Sequence, residues 1–495
     1  MRKLKKNFTT NSVIAGILLG CLVSVLAAGK PNVLFIAIDD MNDWTTLFDK
    51  SNPIQTPNLE RLARRGCFFT RAYCTTAICN PSRTAILTGL SPETSGVYSN
   101  GESWSDLLPD VVTLPQCFRD NGYDAIGGGK IFHHGKTGRD RKDNPSFGEF
   151  FDLKIHAHRP AKNHNGYTEV KLEMEKQWKK EGTKGQIKKD SNYRDIRRLG
   201  GAAFDWGVHD VAKQTDEYTV EFINKIMVEH PKDKPLFLAA GIYRPHLPFW
   251  APPGSFARYP LDTLRMPEMP ENDLDDIPAA GLRLITEQQH FIWEYSSAKE
   301  AADPGSLQRM VQSYQASADY ADEMVGRLLD QLDATGRADD TIIVLWADHG
   351  YHLGDKTHCV KHTLWEKANH VPFIIVAPGI TKAGSRCDRP VSLLDIYPTL
   401  AELAGIESPS ALDGRSLVPL LKNTDMEWEH PALMTYLKGN HAIKTQTHRY
   451  IRYADNSEEL YADNDGWNIT NLALNPEAEA LLAQHRRLMD EAVKK

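Results

Sequence analysis

A large α/β domain built on a mostly parallel sheet, followed by a small antiparallel sheet with a helix packed on it, is the architecture the sequence predicts. Three observations lead there. Apolar runs at 32–38, 235–241, 341–347 and 372–378 are rich in branched residues and do not alternate, as expected of strands covered by helices on both faces. Helical stretches at 56–65, 113–121, 216–228, 307–332 and 393–404 are interleaved with them, and alternation on this scale makes a parallel sheet. After about Glu407 the texture changes to short strand-like pieces at 432–436, 442–447 and 450–453, then a helical stretch at 476–494. The expected division is therefore a main domain over 29–406 and a C-terminal subdomain over 407–495.

Bulk properties narrow the function. The chain has 495 residues and a formal net charge of −7, so there is no basic excess to attract a nucleic acid. Its start, Met1-Arg2-Lys3-Leu4-Lys5-Lys6, is basic, and an apolar run over 13–28 ends in Val25-Leu26-Ala27. That pattern predicts a secretory signal peptide over 1–28 and export to the periplasm or the medium. A retained anchor competes, because the run approaches spanning length, and Leu18-Leu19-Gly20-Cys21 hints at a lipoprotein site. The stretch stays apolar past Cys21, which favours soluble export with no stable membrane span. Seven cysteines become six without the leader, and no CxxC pair suggests zinc.

Along the mature chain, the first strand ends in Asp39-Asp40 and the run at 341–347 ends in Asp348-His349-Gly350. Ligands of open parallel sheets sit beyond the carboxyl ends of the strands. Three carboxylates meeting there repel one another unless a cation intervenes, and an oxygen-rich site suits calcium or magnesium. Between these ends stands Cys79-Asn80-Pro81-Ser82-Arg83-Thr84, leading into a helix that Gly89 closes. Four fixed positions of that kind arise by chance in on the order of one chain in a thousand. Gly127-Gly128-Gly129-Lys130-Ile131-Phe132-His133 follows a predicted strand, and Tyr243-Arg244-Pro245-His246 follows another. The lysine- and arginine-rich stretch at 151–199 reads as a solvated insertion, with a rim attractive to a polyanion as the minority reading.

The Cys79-x-Pro81-Ser82-Arg83 run resembles the signature of the formylglycine-dependent type I sulfatases, and the likeness extends over nearly the whole mature chain. The His349 variant and the Lys130-x-x-His133 spacing are similar to the iduronate-2-sulfatase branch. The resemblance implies an alkaline-phosphatase-like fold, a sulfuric ester hydrolase, and a maturing enzyme that oxidises Cys79 to formylglycine (3-oxoalanine). It further implies calcium, ahead of magnesium, held by Asp39, Asp40, residue 79, Asp348 and His349. Catalytic roles then fall to Cys79, Arg83, Lys130, His133, His246 and Lys361, and substrate contacts to Lys130, Arg244, His246 and Lys361. Glu459-Leu460-Tyr461 and Asn471-Leu472 resemble a structural tail of the family.

In the implied scheme one hydroxyl of the hydrated aldehyde attacks sulfur, helped by the metal and by Asp40 or His133. Lys130, Lys361 and His246 hold the sulfuryl oxygens, and His246 protonates the leaving alcohol. The second hydroxyl gives its proton to His133 and sulfate is expelled. The expected substrate is a sulfated, uronate-containing glycan, with Arg244 meeting a carboxylate. Alternatives are a phosphonate or phosphate monoester hydrolase on the same fold, and a non-catalytic exported glycan-binding protein.

Overall fold

The computed structural model describes residues 29–133, 140, 145–151, 206–208, 213–286, 305–409 and 411–493. The expected leader at 1–28 and nearly all of the charged stretch at 151–199 lie outside the described residues. The strands of the main sheet are β1 (Asn32–Asp39), β2 (Cys67–Phe69), β3 (Asp124–Gly129), β4 (Glu149–Phe151), β5 (Leu236–Pro245), β6 (Thr341–Ala347), β7 (Phe373–Val376) and β8 (Ser385–Cys387). Their order across the sheet is β8-β2-β7-β6-β1-β5-β3-β4. At its centre β1 runs parallel to both β5 and β6, pairing Phe35 with Ala239 on one side and Val344 on the other. Every residue of β1 and of β6 is buried, which is why neither run alternates.

One expected parallel strand runs the other way. β7 pairs antiparallel with β6 and with β2, so the sheet is mixed. A parallel return needs a crossover that carries the chain back along the sheet face. Segment 348–372 does not make one: it holds only a short helix, Glu366–Asn369, and winds over the strand ends before re-entering beside β6.

The flanking helices include α1 (Pro57–Ala63), α2 (Cys79–Thr88), α3 (Leu114–Asp120), α4 (Thr215–Glu229), α5 (Ser306–Ala334), α6 (Ile396–Ala404) and α7 (Glu479–Val493). They match the expected stretches with ends shifted by a few residues. α1 shows how tertiary contacts replace local caps: Thr56 makes no side-chain cap bond. Asp322, buried on α5, instead accepts the backbone N–H groups of Asn58 (3.0 Å) and Leu59 (2.8 Å). Among the described residues, no helix is long and apolar enough to cross a membrane.

The C-terminal sheet is antiparallel, β9 (Ala432–Thr435), β10 (His441–Lys444), β11 (His448–Arg452) and β12 (Glu458–Ala462) in that order, with α7 packed on it. Glu459 on β12 accepts from Trp365 Nε1 (2.8 Å) and Tyr461 (2.6 Å), so this part of the tail is structural. A second buried junction ties the C-terminal sheet to the short helix Glu366–Asn369 between β6 and β7. Glu366 accepts from Arg449 Nε (2.8 Å), Lys444 Nζ (3.3 Å) and the Tyr73 hydroxyl (2.8 Å). Burial alone would raise the Glu366 carboxyl, but Arg449 and Lys444 outweigh it and hold the group well below its ordinary value.

Glu366→Gln leaves Arg449 without a counter-charge and is expected to cost about 3 kcal/mol near neutral pH. A depressed folded-state value stabilises above the unfolded carboxyl's titration and is lost as pH falls through the folded one. The gap between wild type and Glu366→Gln in thermal melts should therefore narrow below about pH 4.

Candidate active site

The carboxyl ends of β1, β3, β5 and β6 and the first residue of α2 meet above the sheet. β1 delivers Asp39 and Asp40. Successive strand residues point to opposite faces, yet both carboxylates join one cluster because Asp40 adopts φ 64°. That left-handed backbone is held by an N–H bond to Asp348 Oδ1 (3.1 Å) and by the Tyr314 hydroxyl, which donates to the Asp40 carbonyl (2.7 Å).

Cys79 opens α2, whose ten residues are all buried, and Gly89 closes the helix in the left-handed conformation with its N–H on the Ala85 carbonyl. Cys79 Sγ lies 3.3 Å from His349 Nε2 and 3.2 Å from Lys361 Nζ. Arg83, one turn on, spans the cluster from beneath. Its Nη2 donates to Asp39 (3.2 Å), its Nε to Asp348 Oδ2 (2.8 Å) and its Nη1 to the carbonyls of Lys130 and Ile131. Ser82 Oγ donates to the Asp348 carbonyl at 2.6 Å and locks α2 to the end of β6.

Lys130 arrives through a glycine contact. Gly129 has φ +75°, and a Cβ there would lie 2.0 Å from the Gly241 carbonyl oxygen. Only with glycine can β3 end against β5 and turn Lys130 Nζ onto Asp39. Lys361 Nζ donates to Asp40 Oδ1 at 2.6 Å. It is braced by its own loop: His358 Nε2 contacts the Lys361 carbonyl (2.6 Å), while His352 bridges Asp355 and Thr363. His362 stacks on Tyr436.

The electrostatics separate the two aspartates. Burial would raise Asp39, but Lys130 and Arg83 pull it well below the carboxylate range. Burial pushes Asp40 up to about 7, with the Asp39 charge adding to the rise and Lys361 opposing it. Burial, then Lys130, pushes His133 down to about 2, so its ring is a neutral base. His246 is likewise driven down, first by burial and then by Lys130. Its Nδ1 faces the Leu247 carbonyl, which fixes the proton there and leaves Nε2 as the acceptor atom.

A cation fits this arrangement. Asp39, Asp40, Cys79 and His349 each offer a donor atom, all within 4.8 Å of one another. Asp40 Oδ2 is buried without any protein hydrogen-bond partner, a position that a bound cation would satisfy.

Asp348 also reaches the cluster, its Oδ2 lying 3.6 Å from His349 Nε2. Its carboxylate accepts from Arg83 and from the Asp40 and His349 backbone N–H groups. One expected role is redirected by the geometry. Arg244 is buried, donating from Nε to the Trp250 carbonyl (3.0 Å) and from Nη1 to the His246 carbonyl (3.2 Å). These bonds make it a brace of the His246 loop, turned away from the role of meeting a substrate carboxylate. Asp216 was not among the sequence candidates, although it anchors the same loop by accepting the N–H groups of Tyr243 (2.8 Å) and Arg244 (3.1 Å). Its only sequence signal was an acid in the first turn of α4, which looks like ordinary helix chemistry.

The chain is similar to known proteins along most of its length. A family model described as Sulfatase matches residues 31–406, and one described as N-sulphoglucosamine sulphohydrolase, C-terminal, matches 354–495. A "Sulfatase" of Formosa agariphila is 34% identical over 467 residues, covering 92% of this chain and 86% of the relative. Human iduronate 2-sulfatase is 29% identical, with 86% of this chain and 79% of the relative covered. A solved structure described with its substrate D-glucosamine-2-N,6-O-disulfate superposes with a TM-score of 0.69 at 21% identity, over 94% of this chain and 98% of that one. That likeness shows the fold, the alkaline-phosphatase-like arrangement of a large sheet between helices.

Proposed function

Because the chain belongs to the sulfatase family and is a sulfuric ester hydrolase, we propose that it acts through formylglycine made from Cys79, with a bound calcium ion, on a sulfated uronate-containing glycan. The observation that carries this reading is the position of Cys79 Sγ, inside the four-donor cluster and 3.2 Å from Lys361 Nζ. Oxidation of that thiol by a maturing enzyme supplies a hydrated aldehyde as nucleophile. The cation, held by Asp39, Asp40, His349 and residue 79, supplies positive charge beside the reacting group.

The chain's own residues do the rest. Lys130 Nζ and Lys361 Nζ, already steered by Asp39 and Asp40, bind the sulfuryl oxygens as charge builds on them. The N-terminus of α2 adds positive potential for the same anion. Burial and then the Lys130 charge depress His133; an anionic ester offsets that charge, and His133 then takes the proton that residue 79 releases. An anionic ester between the two lysines offsets charges that depress His246. Its Nε2 then takes up a proton and passes it to the leaving alcohol. Arg83 keeps Asp39 and Asp348 in register throughout.

The uronate preference rests on similarity to iduronate 2-sulfatase, since Arg244 is engaged elsewhere. Export of the mature chain is part of the same reading. The test is to express the chain with a maturing enzyme, map residue 79 by peptide mass spectrometry, and compare turnover of a 2-O-sulfated uronate disaccharide, an aryl sulfate and an aryl phosphate. Formylglycine at 79 with preference for the disaccharide is expected. Faster turnover of the phosphate, or full activity with an intact thiol, would overturn the proposal.

A further inference from the structure

The donor atoms around Cys79 differ in kind before and after oxidation. In the unoxidised chain they are one sulfur (Cys79), one ring nitrogen (His349) and carboxylate oxygens (Asp39, Asp40), all within 4.8 Å of one another. That mixture suits zinc, whose protein ligands are thiolate, imidazole and carboxylate, better than calcium, which takes oxygen.

The spacing agrees as well. Cys79 Sγ and His349 Nε2 stand 3.3 Å apart, close to the roughly 3.5 Å edge of a tetrahedron with zinc-length bonds. His349 is also oriented as a ligand. Its Nδ1 faces the Gly350 carbonyl (3.1 Å), so the proton sits there and the Nε2 lone pair points toward the sulfur. Asp40 Oδ2, buried and without a protein hydrogen-bond partner, is an oxygen that a bound cation would satisfy.

We propose that the chain folded with Cys79 unoxidised binds one zinc ion through Asp39, Asp40, Cys79 and His349, more tightly than it binds calcium. Conversion of the sulfur donor to oxygen donors reverses that order. The same four residues thus form two metal sites of different selectivity, set by the chemical state of residue 79. This rests on the proposed function only for the nature of the oxidised form.

The experiment uses the full chain made without a maturing enzyme, with the thiol at 79 confirmed by peptide mass spectrometry. Zinc affinity is measured by competition with a chromogenic chelator, and calcium by direct titration. One zinc per chain is expected, with a dissociation constant below about 1 µM and about 100-fold weakening in Cys79→Ser. Cobalt(II) in place of zinc should give a sulfur-to-metal charge-transfer band at one equivalent, lost in Cys79→Ser. Should the serine variant fail to fold, Cys79→Ala replaces it.

Equal zinc affinity in wild type and variant overturns the inference, as does absence of the band from the unaltered chain or its persistence without Cys79. The formylglycine form is titrated with both ions in parallel, and zinc remaining the tighter ligand there overturns the reversal. Sulfate-ester turnover by the matured chain separates the two readings. Turnover without zinc binding by the thiol form removes only this inference. Zinc binding without turnover removes the proposed function and leaves the site standing.

Discussion

Cys79→Ser, produced alongside a maturing enzyme, is expected to lose steady sulfate-ester turnover by about 10³- to 10⁶-fold. Serine preserves the size of the side chain at the head of α2 and its place beside Lys361 and His349. Its hydroxyl can attack sulfur once. It has no second hydroxyl on the same carbon, so the sulfate it receives has no internal route of departure. Rapid-mixing experiments should therefore show at most one equivalent of alcohol released per chain and no matching free sulfate. Cys79→Ala should show neither. Sustained release of both products by Cys79→Ser would contradict the proposed nucleophile, whereas loss of activity with normal melting is the expected pairing.

The second large effect is on stability. Arg83→Met removes the only cation that contacts both Asp39 and Asp348 among the described residues, leaving two buried carboxylates facing a hydrophobic side chain. It also strips a donor from the carbonyls of Lys130 and Ile131. Breaking a buried pair from one side costs about 3–5 kcal/mol, and the variant should melt several degrees lower and lose activity with it. Arg83→Lys should recover only part of the loss, because one ammonium cannot reproduce a planar fork that reaches four acceptors. Equal melting of Arg83→Met and wild type would mean that the cluster is not held from beneath.

The sequence disclosed those parts of the site that depend on chain direction and residue chemistry. β1 and β6 were legible because both faces are covered, which removes alternation and leaves Asp39-Asp40 and Asp348-His349 at the ends. Cys79 and Arg83 were legible because the Cys79-x-Pro81-Ser82-Arg83 run resembles the sulfatase signature, and the structure sets them one helical turn apart. Features decided by a distant partner were not. Asp348 ends its strand as expected, but nothing local records that Arg83 and two backbone N–H groups hold its carboxylate. Arg244 looks like a substrate cation, but the carbonyls of His246 and Trp250 claim it. The reversed β7 follows from where segment 348–372 runs, which no local pattern in Phe373–Val376 records.

The complete burial of α2 bears on the order of events in the cell. Cys79 is 1% exposed, and Arg83 is sealed beneath the sheet end. If Cys79 is oxidised as proposed, the modifying catalyst must therefore reach the segment before α2 is buried. Speed of collapse then competes with chemical processing, and a host that folds this polypeptide too quickly would accumulate well-formed but inert molecules.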